Sequence, residues 1–182
     1  MLRRKVLVFG VMSFLVLLGS SCGYRFSPGG EHIDPVIKRV YVDNFSNRTS
    51  EAELEVIFRN AFLDQFRRST RFRLAESRDQ ADAVLRGGMN SVSTGHLSYT
   101  RADIATEERL TVVMDVSFEA NPELVERGKP VIIWKDPGFS GYRDYRVSQG
   151  NPFVTDQNRR AALQLLAEDM AQRAFRALMS GF

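Results

Sequence analysis

The sequence predicts an α+β domain, with two helices packed on one face of a roughly four-stranded, mostly antiparallel or mixed sheet in the order β-α-β-β-β-α. Three stretches carry that expectation. Leu54, Ile57, Phe58, Ala61, Phe62 and Phe66 recur at helical spacing. Leu110, Val112, Met114, Val116 and Phe118 alternate with Thr111, Val113, Asp115, Ser117 and Glu119, the period of two of a strand buried on one side. Leu163, Leu166, Ala167, Met170, Ala174, Ala177 and Leu178 form the apolar stripe of a second helix.

Residues 1–21 precede this body and read as a secretory signal. Arg3, Arg4 and Lys5 are followed by an apolar run from Val6 to Leu18 and the small residues Gly19, Ser20 and Ser21. That run is shorter than the roughly 20 residues a spanning helix needs. Cys22, the only cysteine, follows at once. Small residues before a cysteine resemble the lipobox of bacterial lipoproteins, although Gly19 holds the usual leucine position and Leu18 lies one step back. The resemblance implies that the Cys22 thiol takes a diacylglyceryl group and that its new amino terminus is acylated. One chain gives only reversible attachment, and several hold firmly. Gly23 rather than an aspartate follows, which favours the outer membrane. Ordinary signal cleavage that leaves a free Cys22 is the competing reading.

Without Arg3, Arg4 and Lys5 the chain keeps twenty-two basic residues against twenty-two acidic ones, so bulk charge gives no support for nucleic-acid binding. Nineteen of those bases are arginines, which suit phosphates and carboxylates. A codon bias toward arginine explains the excess equally well. With Cys22 spent on lipid, no internal disulfide can form.

Residues 22–35 read as a lipidated tether because Ser27-Pro28-Gly29-Gly30 discourages regular structure. Residues 36–182 form a single domain. Ile37 to Phe45 is the first strand, with Val40 and Val42 facing one way. Ser50 and Glu53 have the spacing of a capping box at the start of the first helix. Arg71 to Ala75 is a short strand or an extended lead-in. Ala83 to Met89 is the second strand, and Gly87-Gly88 within it marks a bulge or a close backbone approach. Ser91 to Thr106 is a ribbon or a loop. Val131 to Lys135 pairs antiparallel with the alternating strand, and Gly138 to Val147 adds a ragged extension. Thr155 or Asp156 caps the last helix.

Sites for chemistry are sparse. His32 and His96 have no partner at ligand spacing, which predicts no metal site, and no glycine-rich loop joins a strand to a helix. Asp64, Asp115 and Asp136 make no acid–base pair. A hydrolase would need Ser91, Ser93 or Ser98 set against His96. The reading is therefore not an enzyme and without cofactor. Trp134, Lys135, Phe139, Tyr142, Arg143, Tyr145 and Arg146 either form a binding surface or, for Trp134 and the tyrosines, line the core.

Several segments resemble the LPS-assembly lipoprotein family, LptE. They are Cys22-Gly23-Tyr24-Arg25-Phe26, Val42-Asp43-Asn44-Phe45-Ser46-Asn47-Arg48-Thr49 ahead of Glu53-Leu54-Glu55, and Ala81-Asp82-Ala83-Val84-Leu85-Arg86-Gly87. Trp134 before Gly141-Tyr142, and Leu166-Ala167-Glu168-Asp169-Met170-Ala171 in the closing helix, fit as well. The resemblance implies two helices on a four-stranded sheet and a non-enzymatic outer-membrane role. A protein of that kind plugs the β-barrel LptD, helps it assemble, and binds lipopolysaccharide while its acyl chains sit in the inner leaflet. Basic residues beside the turns between strands, Arg101, Lys129, Lys135 and Arg143, are the expected partners of lipopolysaccharide phosphates. A secretion-system pilotin or an envelope scaffold of similar layer fold is the alternative.

Overall fold

The computed structural model describes residues 30–99, 105–124 and 131–181. Its elements are β1 (Arg39–Val42), β2 (Ser46–Asn47), α1 (Leu54–Arg67), β3 (Arg73–Leu74), a 3-10 turn (Arg78–Gln80), β4 (Ala83–Tyr99), β5 (Ala105–Ala120), β6 (Ile132–Arg146) and α2 (Pro152–Ser180). The sheet runs β3-β1-β4-β5-β6, and β2 pairs with β4 beyond the end of β1. Pairings among β1, β2, β3 and β4 are parallel, whereas β4–β5 and β5–β6 are antiparallel. The architecture is the expected mixed sheet with both helices on one face, built on three long strands and three short ones.

The first strand reads as one piece in the sequence but is two in the structure. After Asp43, whose N–H still donates to the Leu85 carbonyl, the chain lifts off β4 and returns at Ser46, and between them the Phe45 ring packs under α1 against Phe62, with centroids 5.3 Å apart. Gly87 makes this possible: a Cβ there would lie 2.6 Å from Phe45 ring carbons. Of the two sequence readings of Gly87, close approach is the one realised, and the β4 register shift falls later, between Met89 and Ser91.

Alternation holds along β5: Leu110, Val112, Met114, Val116 and Phe118 are all buried under the helices. Leu54, Phe58, Phe62 and Phe66 of α1 are buried above them. Phe66 touches Phe72, Phe118 and Phe175 at centroid distances of 5.7, 6.1 and 5.2 Å. Each such fully buried side chain contributes about 2–3 kcal/mol. Ile33, within the stretch read as tether, is also buried in this core, and the Gly30 N–H donates to the Met179 carbonyl.

Three local expectations are corrected. The Ser50–Glu53 capping box does not form: Glu53 is the N-cap, in the left-handed region at φ 63, with no side-chain cap. The last helix starts earlier than Thr155 or Asp156, since Asn151 is its cap and accepts from the Val154 N–H, with Pro152 in the first turn. The two segments expected around Pro137-Gly138 are one strand, β6, whereas of the two readings of Ser91 to Thr106 the ribbon is realised over Ser91 to Tyr99 as a continuation of β4. The extra residues opposite Asp115 are absorbed by a register shift between Met114 and Val116.

Candidate functional site

Both helices cover the same face, so among the described residues the opposite face of β4, β5 and β6 is left open. Register decides which side chains stand on it, because directly opposed residues share a face. Arg86, Ser117 and Lys135 form one row across the three strands, and Gly88 and Asp115 begin the next. Ser93, Thr111 and Tyr142 form a row further along, followed by Gly95, Arg109 and Asp144.

The lower rows frame a shallow groove of about 340 Å³ whose charged walls are Asp43, Arg48, Arg86, Asp115 and Lys135. Asp115 Oδ1 accepts from Asn90 Nδ2 at 2.8 Å and from the Gly138 N–H at 3.1 Å. Arg48 Nη1 donates to Asn90 Oδ1 at 3.3 Å and lies 4.0 Å from Asp115 Oδ2. Arg86 Nε, shielded from water, sits 3.6 Å from Glu119 Oε2 without a hydrogen-bond acceptor among the described residues. Ser117 Oγ in turn donates to Glu119 Oε1 at 3.0 Å. Lys135 is exposed and has no carboxylate within ion-pair distance among the described residues. Three cations and two carboxylates line the groove, with Glu119 beside Arg86 just outside it.

At the other end of the open face Arg109 grips Asp144 with two nitrogens, at 2.7 and 2.9 Å. Its guanidinium lies over the Tyr142 ring, 4.1 Å from the centroid. Hydrogen bonding from Arg109 holds the Asp144 carboxyl below the usual carboxylate range. Tyr142 is 61% exposed, so an ordered aromatic ring and a neutralised ion pair are offered together to solvent.

The helix-covered face carries a separate polar cluster. The Tyr145 hydroxyl donates to Glu108 Oε2, and His96 Nδ1 lies 3.1 Å from Glu108 Oε1. Burial first, then the Glu108 hydrogen bond, pushes the Tyr145 hydroxyl up to about 12. Ser91 and Ser93 pair with Val113 and Thr111 on the open face, across the sheet from His96. The serine–histidine arrangement a hydrolase would need is therefore not formed by either, and the Ser98 side chain lies outside the described residues. Among the described residues no three His, Cys, Asp or Glu side chains are grouped to hold a metal, and no helix is long and apolar enough to cross a membrane.

Of the expected site residues, Cys22, Arg101 and Lys129 lie outside the described residues. Lys135 stands on the open face beside the groove, whereas Arg143 pairs with Leu110 and belongs to the helix side. Eight residues of strand, about 26 Å, separate the two. Trp134 and Tyr145 are buried in the core, and Phe139 packs partly against it. Tyr142 alone among those aromatics is exposed. Arg48, Arg86 and Arg109 were missed as site residues. For Arg86 and Arg109 the signal was present, since each is out of phase with the apolar positions of its strand.

A family model described as LptE, lipopolysaccharide-assembly, matches residues 37–178. The chain belongs to this family. The match runs from just before β1 to the last turn of α2, so the two-layer body is the LptE domain. In fold this LptE-family chain resembles the hypothetical protein CT253 from Chlamydia trachomatis, at TM-score 0.52 and 11% identity over 80% of this chain and 98% of that one. The rare lipoprotein B from Shewanella oneidensis aligns at TM-score 0.49 and 15% identity, over 79% of this chain and 95% of that one. No curated protein sequence matches.

Proposed function

We propose that this LptE-family chain is a lipid-anchored outer-membrane protein that occupies the lumen of the LPS-assembly barrel LptD, assists its assembly and binds lipopolysaccharide in transit. The observation that carries the reading is the family match across the whole body, residues 37–178. The open polar sheet face supports it, because the inner wall of a large barrel is itself polar and wet. Cys22 is the proposed acylation site. The eight residues from Cys22 to Gly30 reach at most about 28 Å, which keeps the body close to the inner leaflet. Arg101, Lys129, Lys135 and Arg143 are the proposed phosphate contacts, and Arg48 and Arg86 flank Lys135 in the groove.

The test is affinity purification of the tagged full chain from detergent-solubilised membranes, followed by mass spectrometry of the partner and of the Cys22 peptide. A large β-barrel in stoichiometric amount and an acylated Cys22 are expected. Recovery of a secretin or of peptidoglycan with no LptD-type barrel would reject the proposal in favour of a pilotin or scaffold.

A further inference from the structure

The sheet has two edges of very different length: β3 ends it with two residues and β6 with fifteen. A long outer strand presents unpaired backbone groups to any other strand it meets. We infer that Arg173 and Asn158 of α2 close the C-terminal half of the outer edge of β6, Ser140 to Arg146, against antiparallel pairing with a second copy of this chain.

Backbone direction along β6 locates the exposed groups. The Val147 N–H donates inward to the Thr106 carbonyl, so the alternate residues Arg143 and Tyr145 also face β5, opposite Leu110 and Glu108. Ser140, Tyr142, Asp144 and Arg146 then direct their backbone groups outward. The two outermost of these carbonyls are taken by α2: Ser140 O accepts from Arg173 Nη2 at 3.0 Å, and Arg146 O accepts from Asn158 Nδ2 at 2.9 Å. Only Tyr142 and Asp144 lie between the two caps.

Arg173 is held for this task from three sides. Its Nε bonds Asp169 Oδ2 at 3.0 Å, and its guanidinium lies 5.2 Å from the Phe139 ring centroid. It passes over Gly141 so closely that a Cβ there would sit 2.6 Å from Nη2. The same Cβ would lie 2.8 Å from Cγ and Sδ of the buried Met170, so glycine at 141 lets both α2 side chains seat against the strand.

Symmetry selects the second copy as the excluded partner. A two-fold antiparallel pairing centred on Arg143 sets Tyr142 opposite Asp144 and Ser140 opposite Arg146, so both caps occupy matching positions. It also sets Arg143 against its own copy, and directly opposed like charges disfavour the pair. Two side-chain caps and one repelling arginine therefore guard the same four-step register.

Sedimentation velocity of the full chain in detergent, over a wide concentration range, tests the inference. The parent chain is expected to stay monomeric. The double variant Arg173→Met, Asn158→Leu should dimerise with rising concentration, and adding Arg143→Val should strengthen the dimer. In that dimer the Tyr142 and Asp144 amides should gain about tenfold or more protection from hydrogen exchange. Should the double variant lose its far-UV signature, Asn158→Leu alone opens one end of the edge and should show the weaker form of the effect. A folded variant that remains monomeric, or a dimer in which those two amides are unchanged, overturns the inference.

Discussion

Asp82 is the buried charged residue of the described core, and its partners explain why it is ionised there. Burial alone would push its carboxyl up. Arg39 opposes this with Nε and Nη2 at 3.1 and 2.8 Å, and the Arg39 and Lys38 backbone N–H groups donate at 2.7 and 3.0 Å. The balance holds Asp82 below its ordinary value. A depressed folded-state value means that the stabilisation is full above the unfolded carboxylate range, about pH 4, and is lost as pH falls through the folded value. Asp82→Asn should cost about 2 kcal/mol at neutral pH. Its amide oxygen can still accept from both backbone N–H groups, which share one oxygen, but those bonds lose their charge. The amide NH2 is left facing Arg39, whose own share is screened because it is more than half exposed. The gap between parent and variant should close as pH is lowered toward about 2. Urea unfolding as a function of pH measures it, and a gap that stays constant would show that ionisation is irrelevant. The Ala81-Asp82-Ala83 segment was legible as a family-like strand entry. The role of Asp82 was not, because its donors lie more than forty positions upstream.

The start of α1 shows how an element can be legible while its end is not. Helical periodicity from Leu54 to Phe66 survives intact, since it depends only on burying one face. The Ser50–Glu53 box fails because the helix begins at Leu54, which makes Glu53 the N-cap and not the third helical residue, while Glu51 ahead of it is gripped by Arg159 at 2.6 and 2.7 Å from 108 residues away. The turn is built instead around Asn47. Its Nδ2 donates to Glu51 O and Glu55 Oε2, and its Oδ1 accepts from the Thr49 N–H and hydroxyl. Glu53 then enters the helix in the left-handed region, which is costly for any residue with a Cβ. Glu53→Gly should therefore stabilise the chain by about 1 kcal/mol, whereas Asn47→Ala should destabilise it by about 2 kcal/mol. Urea midpoints decide both, and a destabilised Glu53→Gly would place that backbone strain elsewhere. The unbroken course of β6 was illegible for a related reason: Pro137-Gly138 reads as a break unless the bulge opposite Asp115 is known.

Across the whole molecule, the layer order was readable because the apolar periods of 3.6 and 2 fix which faces are buried. A binding cluster was not readable, because membership of a face depends on strand register and bulges. Lys135 and Arg143 sit near each other in sequence, yet register sends them to opposite faces of β6. This separation makes the proposed lipopolysaccharide contacts testable one at a time. Lys135→Glu would change the groove walls from three cations and two carboxylates to two and three, with no described ion pair broken. Arg143→Glu alters the helix side at an exposed edge position. Each should weaken lipopolysaccharide binding about tenfold, the size of one charge-assisted contact, and more steeply at low salt. Sites this far apart should act independently, so the double variant should lose the product of the two factors while its stability stays within about 0.5 kcal/mol. Titration with fluorescent lipopolysaccharide at two ionic strengths reads both effects. Unchanged binding in the double variant would remove these two side chains from the contact. A loss confined to Lys135→Glu would assign recognition to the open face, with Arg143 left to its place on the guarded edge.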